Sequence, residues 1–130
     1  MRYWGLDIVR CVHCKNFPLE IIVIESEKQN IDVSGIQTPL CKSYCGYLKE
    51  NVQSSKEYPC LDCLKTGIKT AVLYCPECKR WYPVRDGIVH LLTDNRRKKE
   101  RDLEFLRKYK DHIPKYILEE GKPFNLLKID

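Results

Sequence analysis

Cys75-Pro-Glu-Cys78-Lys-Arg-Trp81-Tyr-Pro83-Val-Arg-Asp86-Gly87-Ile-Val-His-Leu-Leu92 is the stretch that decides the fold. Two thiols separated by two residues open it, Trp81 to Val84 form an apolar run, and Asp86-Gly87 divides that run from a second one, Ile88 to Leu92. Asp-Gly between two such runs predicts a tight hairpin, because the favoured turns need positive φ and glycine adopts it without steric cost. The hairpin therefore hangs directly from a Cys-x2-Cys knuckle.

A matching pair, Cys11 and Cys14, lies upstream, with sixty residues between Cys14 and Cys75. Two residues between thiols is the spacing at which one knuckle offers both sulfurs to a tetrahedral ion, so Cys11, Cys14, Cys75 and Cys78 are expected to bind zinc. Four thiolates saturate that ion and leave no position for water, which makes the site structural. The residue after such a knuckle often needs positive φ, and Asn16 is expected to supply it. The long separation of the pairs implies a subdomain inserted between them.

Within the insert, Thr38-Pro39 reads as a helix start, with Leu40, Tyr44, Tyr47 and Leu48 as an apolar stripe at helical spacing. Pro59 to Leu64 reads as a second short helix ended by Gly67, giving a helical hairpin. Each helix carries two cysteines. Cys41, Cys45, Cys60 and Cys63 are open to three readings: a second metal, disulfides pairing Cys41 with Cys63 and Cys45 with Cys60, or free buried thiols.

The predicted class is α+β: a small antiparallel zinc-ribbon-like β domain (residues 1–26 plus 68–93), an inserted helical hairpin (27–67) and C-terminal helices (94–130). Leu19 to Glu25 and Ile68 to Cys75 are its further strands. A charged helix from Arg96 to about Lys110 has Leu103, Leu106 and Tyr109 as its apolar stripe, and Pro114 starts another helix that Gly121 and Pro123 stop. Phe124, Leu126, Leu127 and Ile129 are apolar enough to dock.

The chain has 130 residues and a net charge of +5, and residues Arg96 to Lys110 alone hold eight Lys or Arg against three Asp or Glu. The rest is neutral, so any RNA contact falls to Arg96, Arg97, Lys98, Lys99 and Arg101. The longest apolar run, Ile21 to Ile24, is too short for a bilayer, and no secretory leader is evident; a cytoplasmic location with no membrane partner is expected. His13, His90 and His112 lack a partner at catalytic spacing, Asp86 is explained by its turn and Glu77 by exposure. With no phosphate loop, triad order or open-shell metal set, the chain is not expected to be an enzyme.

Two segments, Asp7-Ile-Val-Arg-Cys11-Val-His-Cys14-Lys-Asn-Phe17-Pro18-Leu19 and Cys75 to Leu92, together resemble the tRNA-methyltransferase-112-like activator subunits. The resemblance implies a non-catalytic chain with structural zinc at the four outer cysteines. It implies heterodimers with class I S-adenosylmethionine-dependent methyltransferases acting on tRNA, rRNA or a translation release factor. S-adenosylmethionine would then sit on the partner, and contact with tRNA or rRNA would be indirect. Trp81, Pro83, Val84, Ile88, Val89, His90, Leu91 and Leu92 become the expected partner-facing surface. Val12 and Lys79 depart from the proline and glycine common at those knuckle positions. Two other classes compete: a stand-alone nucleic-acid-binding zinc ribbon, and a redox or metal-transfer protein using the inner cysteines.

Overall fold

The computed structural model describes residues 1–36, 40–53 and 56–126. Its centre is strand β4 (Thr66–Tyr74), which pairs antiparallel with β1 (Glu20–Lys28) on one side and β5 (Trp81–Arg85) on the other. β6 (Ile88–Val89) pairs with β5 and completes a sheet of order β1-β4-β5-β6. Every residue of β4 except Lys69 is buried. A strand covered on both faces reads as a continuous apolar run rather than an alternation.

The two faces are covered differently. On one face Ala71, Leu73 and Cys75 pack with Leu6, Leu19, Ile21, Tyr82 and Val84, beneath a short 3₁₀ helix at Tyr3–Asp7. On the other, Val72, Tyr74 and Trp81 pack against α2 (Lys99–Lys108) and α3 (Lys115–Glu120) through Phe105, Leu106 and Ile117. The Trp81 and Phe105 rings stack with centroids 6.0 Å apart. An aromatic ring buries roughly 150–250 Å², so this contact fixes where α2 lies. Asp86 and Gly87 have φ of 50° and 78°, the pair of left-handed residues a type I′ turn requires, and Arg85 faces Ile88 across it.

The α+β class with an antiparallel sheet matches the sequence expectation. The insert does not match it as a helical hairpin. Thr38 and Pro39 lie outside the described residues, and Leu40 to Leu48 form no helix: β2 (Tyr44–Cys45) and β3 (Glu50–Asn51) make a small hairpin of their own. Tertiary bonds override the helical spacing here. The Asp7 carboxylate accepts the backbone N–H groups of Lys42, Ser43 and Tyr44 at 2.9, 2.8 and 2.7 Å. Gly46 lies where a Cβ would come within 2.8 Å of the Tyr3 carbonyl. Among the described residues of the insert only α1 (Cys60–Lys65) is helical, and it runs straight into β4, so Gly67 is a strand residue and not a helix stop.

The charged helix begins at Lys99, because Asp94–Arg96 form a 3₁₀ turn first. α3 occupies the expected place after Pro114, and Leu126 docks on the second face. Leu127 and Ile129 lie outside the described residues. No helix among the described residues is long and apolar enough to cross a membrane.

Candidate metal centre

Cys11 and Cys75 open two knuckles of nearly identical construction. In the first, Cys11 N–H donates to Asn16 O (3.1 Å) and Lys15 N–H donates back to Cys11 O (3.0 Å). In the second, Cys75 N–H donates to Arg80 O and Lys79 N–H to Cys75 O, both at 2.8 Å. Lys15 and Lys79 hold φ of 66° and 65°. The left-handed residue is thus the one immediately after each second cysteine, and Lys15 rather than Asn16 takes that role. Left-handed backbone at a lysine costs about 1–2 kcal/mol, which the surrounding ladder must over-determine.

The two knuckles bring their sulfurs together, with Cys11 Sγ 3.5 Å from Cys78 Sγ and Cys14 Sγ 3.4 Å from Cys75 Sγ. All four sulfurs lie within 4.8 Å of one another. Sulfurs about 2.3 Å from a tetrahedral ion stand about 3.8 Å apart, so this set could hold one metal ion without rearrangement of the backbone. Only sulfur is offered, which suits zinc and other thiophilic ions and not magnesium or calcium. Cys11 and Cys75 are buried, Cys78 is half-buried and Cys14 is exposed. His13 is exposed and outside the cluster.

Second contacts tune these sulfurs. Burial opposes ionisation of Cys11, but the backbone N–H of Cys14, the Tyr82 hydroxyl 3.2 Å away and the backbone N–H of His13 bring its thiol down to about 6. Burial pushes Cys75 up to about 12. Arg80 stands beside Cys78 and grips Asp94 through two hydrogen bonds of 2.9 and 2.6 Å, tying the knuckle to the start of the C-terminal segment. Nothing in the local sequence marked Tyr82 or Arg80 for this work; strand alternation places Tyr82 on the Cys11 side of the sheet only once β5 is paired.

Cys41, Cys45, Cys60 and Cys63 are all buried and all free thiols, so of the three open readings the structure holds neither the Cys41–Cys63 nor the Cys45–Cys60 disulfide. Burial raises Cys41 to about 11 and Cys63 to about 12.

The expected partner surface divides in two. Trp81, Pro83 and Val84 are fully buried within the chain and cannot meet a partner; the C-terminal helices and the first-face core cover them. Ile88 remains 63% exposed and Leu92 37%, with Val89, His90 and Leu91 half-buried beside them. Among the described residues β6 pairs only with β5, and no further strand lies on its outer edge. Among the expected RNA contacts, Arg96, Lys98, Lys99 and Arg101 are exposed, whereas Arg97 is buried. Its Nε donates to Asp102 Oδ2 at 2.7 Å, its Nη1 to Trp81 O at 2.6 Å, and its guanidinium lies 4.7 Å over the Trp81 ring. Arg97 is a structural residue, and its removal from the basic surface follows from Asp102 facing inward on α2.

Comparison with curated proteins gives no match. The family model described as Trm112p-like protein matches residues 6–87, which contain both knuckles, the insert and the turn of the β5–β6 hairpin. That match spans more than half of the chain and agrees with the paired knuckles, so the chain belongs to the Trm112p-like family of small methyltransferase-activating subunits.

Proposed function

We propose that this chain is a non-catalytic subunit that binds and stabilises class I S-adenosylmethionine-dependent methyltransferases acting on tRNA, rRNA or translation factors. Cys11, Cys14, Cys75 and Cys78 would hold a structural zinc that pins the two knuckles together. The observation that carries the reading is the open edge of β6 beside exposed Ile88 and Leu92, directly downstream of the second knuckle. An unpaired edge offers N–H and C=O groups to a strand of another protein, and flanking apolar side chains supply the burial. A specific interface of ordinary size covers roughly 800 Å² per partner, and mass action then stabilises a methyltransferase that is weak alone. S-adenosylmethionine belongs to that partner, and RNA is met through it, with Arg96, Lys98, Lys99 and Arg101 as exposed positive charges near the same end.

The test is co-expression with the methyltransferases of the source cell. Ile88→Glu places a charge on a side chain that is already exposed, so the free chain should fold and retain its metal while co-purification of the methyltransferase falls at least tenfold. Undiminished complex formation by Ile88→Glu would remove β6 from the interface.

A further inference from the structure

The inner cysteines carry chemistry that the outer centre does not use. Cys41 precedes β2, Cys45 ends it, and Cys60 and Cys63 lie three apart on α1, a spacing that puts both on one helix face. Sequence spacings of Cys-x3-Cys and Cys-x2-Cys are those of paired structural zinc ligands. All four are less than a tenth exposed and converge on one cavity of about 10 Å³, otherwise walled by apolar and aromatic groups such as Tyr3, Leu40 and Val52.

That volume is roughly one water-sized sphere. A water there would need two to four polar partners, and thiols are weak donors and weaker acceptors. A soft cation, by contrast, meets four sulfurs. The insert also needs such a centre: its two strands are two residues long each, and a hairpin of that size does not stand alone. Packing of β2 and α1 on the Tyr3–Asp7 helix is its main anchorage.

We propose that Cys41, Cys45, Cys60 and Cys63 form a second tetrathiolate zinc site, which locks the insert to the N-terminal helix. Among the described residues only the outer set has three or more ligand atoms within 4.8 Å of one another; no three of the inner sulfurs are that close, so binding there requires the side chains to turn inward and draw together around the cavity. On binding, the four thiols lose their protons to solvent and ligate as thiolates.

The measurement is elemental analysis of the full chain purified under reducing conditions from zinc-supplemented cells. Two zinc ions per chain are expected, and Cys60→Ser/Cys63→Ser should halve that number. One ion per unaltered chain, or a mass showing two disulfides in place of four thiols, would overturn the proposal. If the double variant fails to fold, titration of the unaltered chain with an organomercurial decides: release of two ions over eight thiols supports the second site, and release of one ion over eight thiols refutes it. Failure here leaves the outer centre and the partner-binding role untouched, because neither depends on the inner sulfurs.

Discussion

Removing the Asp102 carboxylate should be among the most damaging single changes on the helical side of the sheet. Asp102 is 3% exposed and serves two cations, Arg97 at 2.7 Å and Arg85 at 3.4 Å. The Arg97 side chain is 2% exposed and one of its terminal nitrogens, Nη2, has no hydrogen-bond partner among the described residues. In Asp102→Ala the guanidinium would stay buried over Trp81 with no counter-charge, a situation that costs about 3–5 kcal/mol. For a chain of this size that corresponds to a melting temperature lower by roughly 10–20 °C. Arg97→Met/Asp102→Leu removes the buried charge pair; it leaves the Trp81 carbonyl without the Arg97 donor, a loss of about 1–3 kcal/mol, and takes the weaker 3.4 Å ion pair from Arg85, which keeps the Arg101 carbonyl. The double variant should therefore be more stable than Asp102→Ala. Denaturant unfolding with the metal bound, followed by the fluorescence of buried Trp81, measures both. If Asp102→Ala costs less than about 1 kcal/mol, or if the single-site effects simply add in the double variant, the pair is not the buried, coupled unit described here.

Lys79→Gly relieves a left-handed lysine and should stabilise the metal-bound chain by about 0.5–1 kcal/mol, read from the same unfolding curve; Lys15→Gly should do likewise, and a loss from both would contradict the backbone assignment. Tyr82→Phe deletes the hydroxyl donated to Cys11 sulfur and should weaken zinc binding about 10–100-fold in a chelator competition, with the fold intact by circular dichroism. Desolvation opposes ionisation of Asp7, but the three backbone N–H groups of Lys42, Ser43 and Tyr44 win and hold its carboxyl below the ordinary value of 3.8. Its contribution is therefore full above that value and is lost as pH falls through the lower folded pKa. Asp7→Asn should flatten that acid limb in hydrogen exchange of the insert, and an unchanged limb would show that the carboxylate does not anchor β2.

Much of the metal centre was legible because its determinants are local. A Cys-x2-Cys pair closes its own knuckle through bonds within six residues, as Cys75 to Arg80 does, and Asp86-Gly87 dictates its turn through backbone sterics alone. Lys79, which departs from the usual glycine, still adopts the left-handed conformation because the second knuckle is held at both ends. The insert was not legible for the opposite reason. Leu40, Tyr44, Tyr47 and Leu48 fall at helical spacing, yet what decides their conformation is the Asp7 carboxylate and the press of Tyr3 against Gly46, contacts made by residues some forty positions away in sequence.

The same division applies to the hairpin surface. That Trp81 to Leu92 forms an apolar hairpin attached to cysteines spaced to hold a metal ion could be read from the chain alone, since spacing, turn chemistry and hydrophobicity are properties of contiguous residues. Tertiary structure alone decided which of those residues are available to another protein. Phe105 arrives on α2 to cover Trp81, Asp102 draws Arg97 inward beneath it, and Ile88 is left outside because β6 is the last strand of the sheet. Burial is settled by what packs on a face, and that information is distributed over the whole chain.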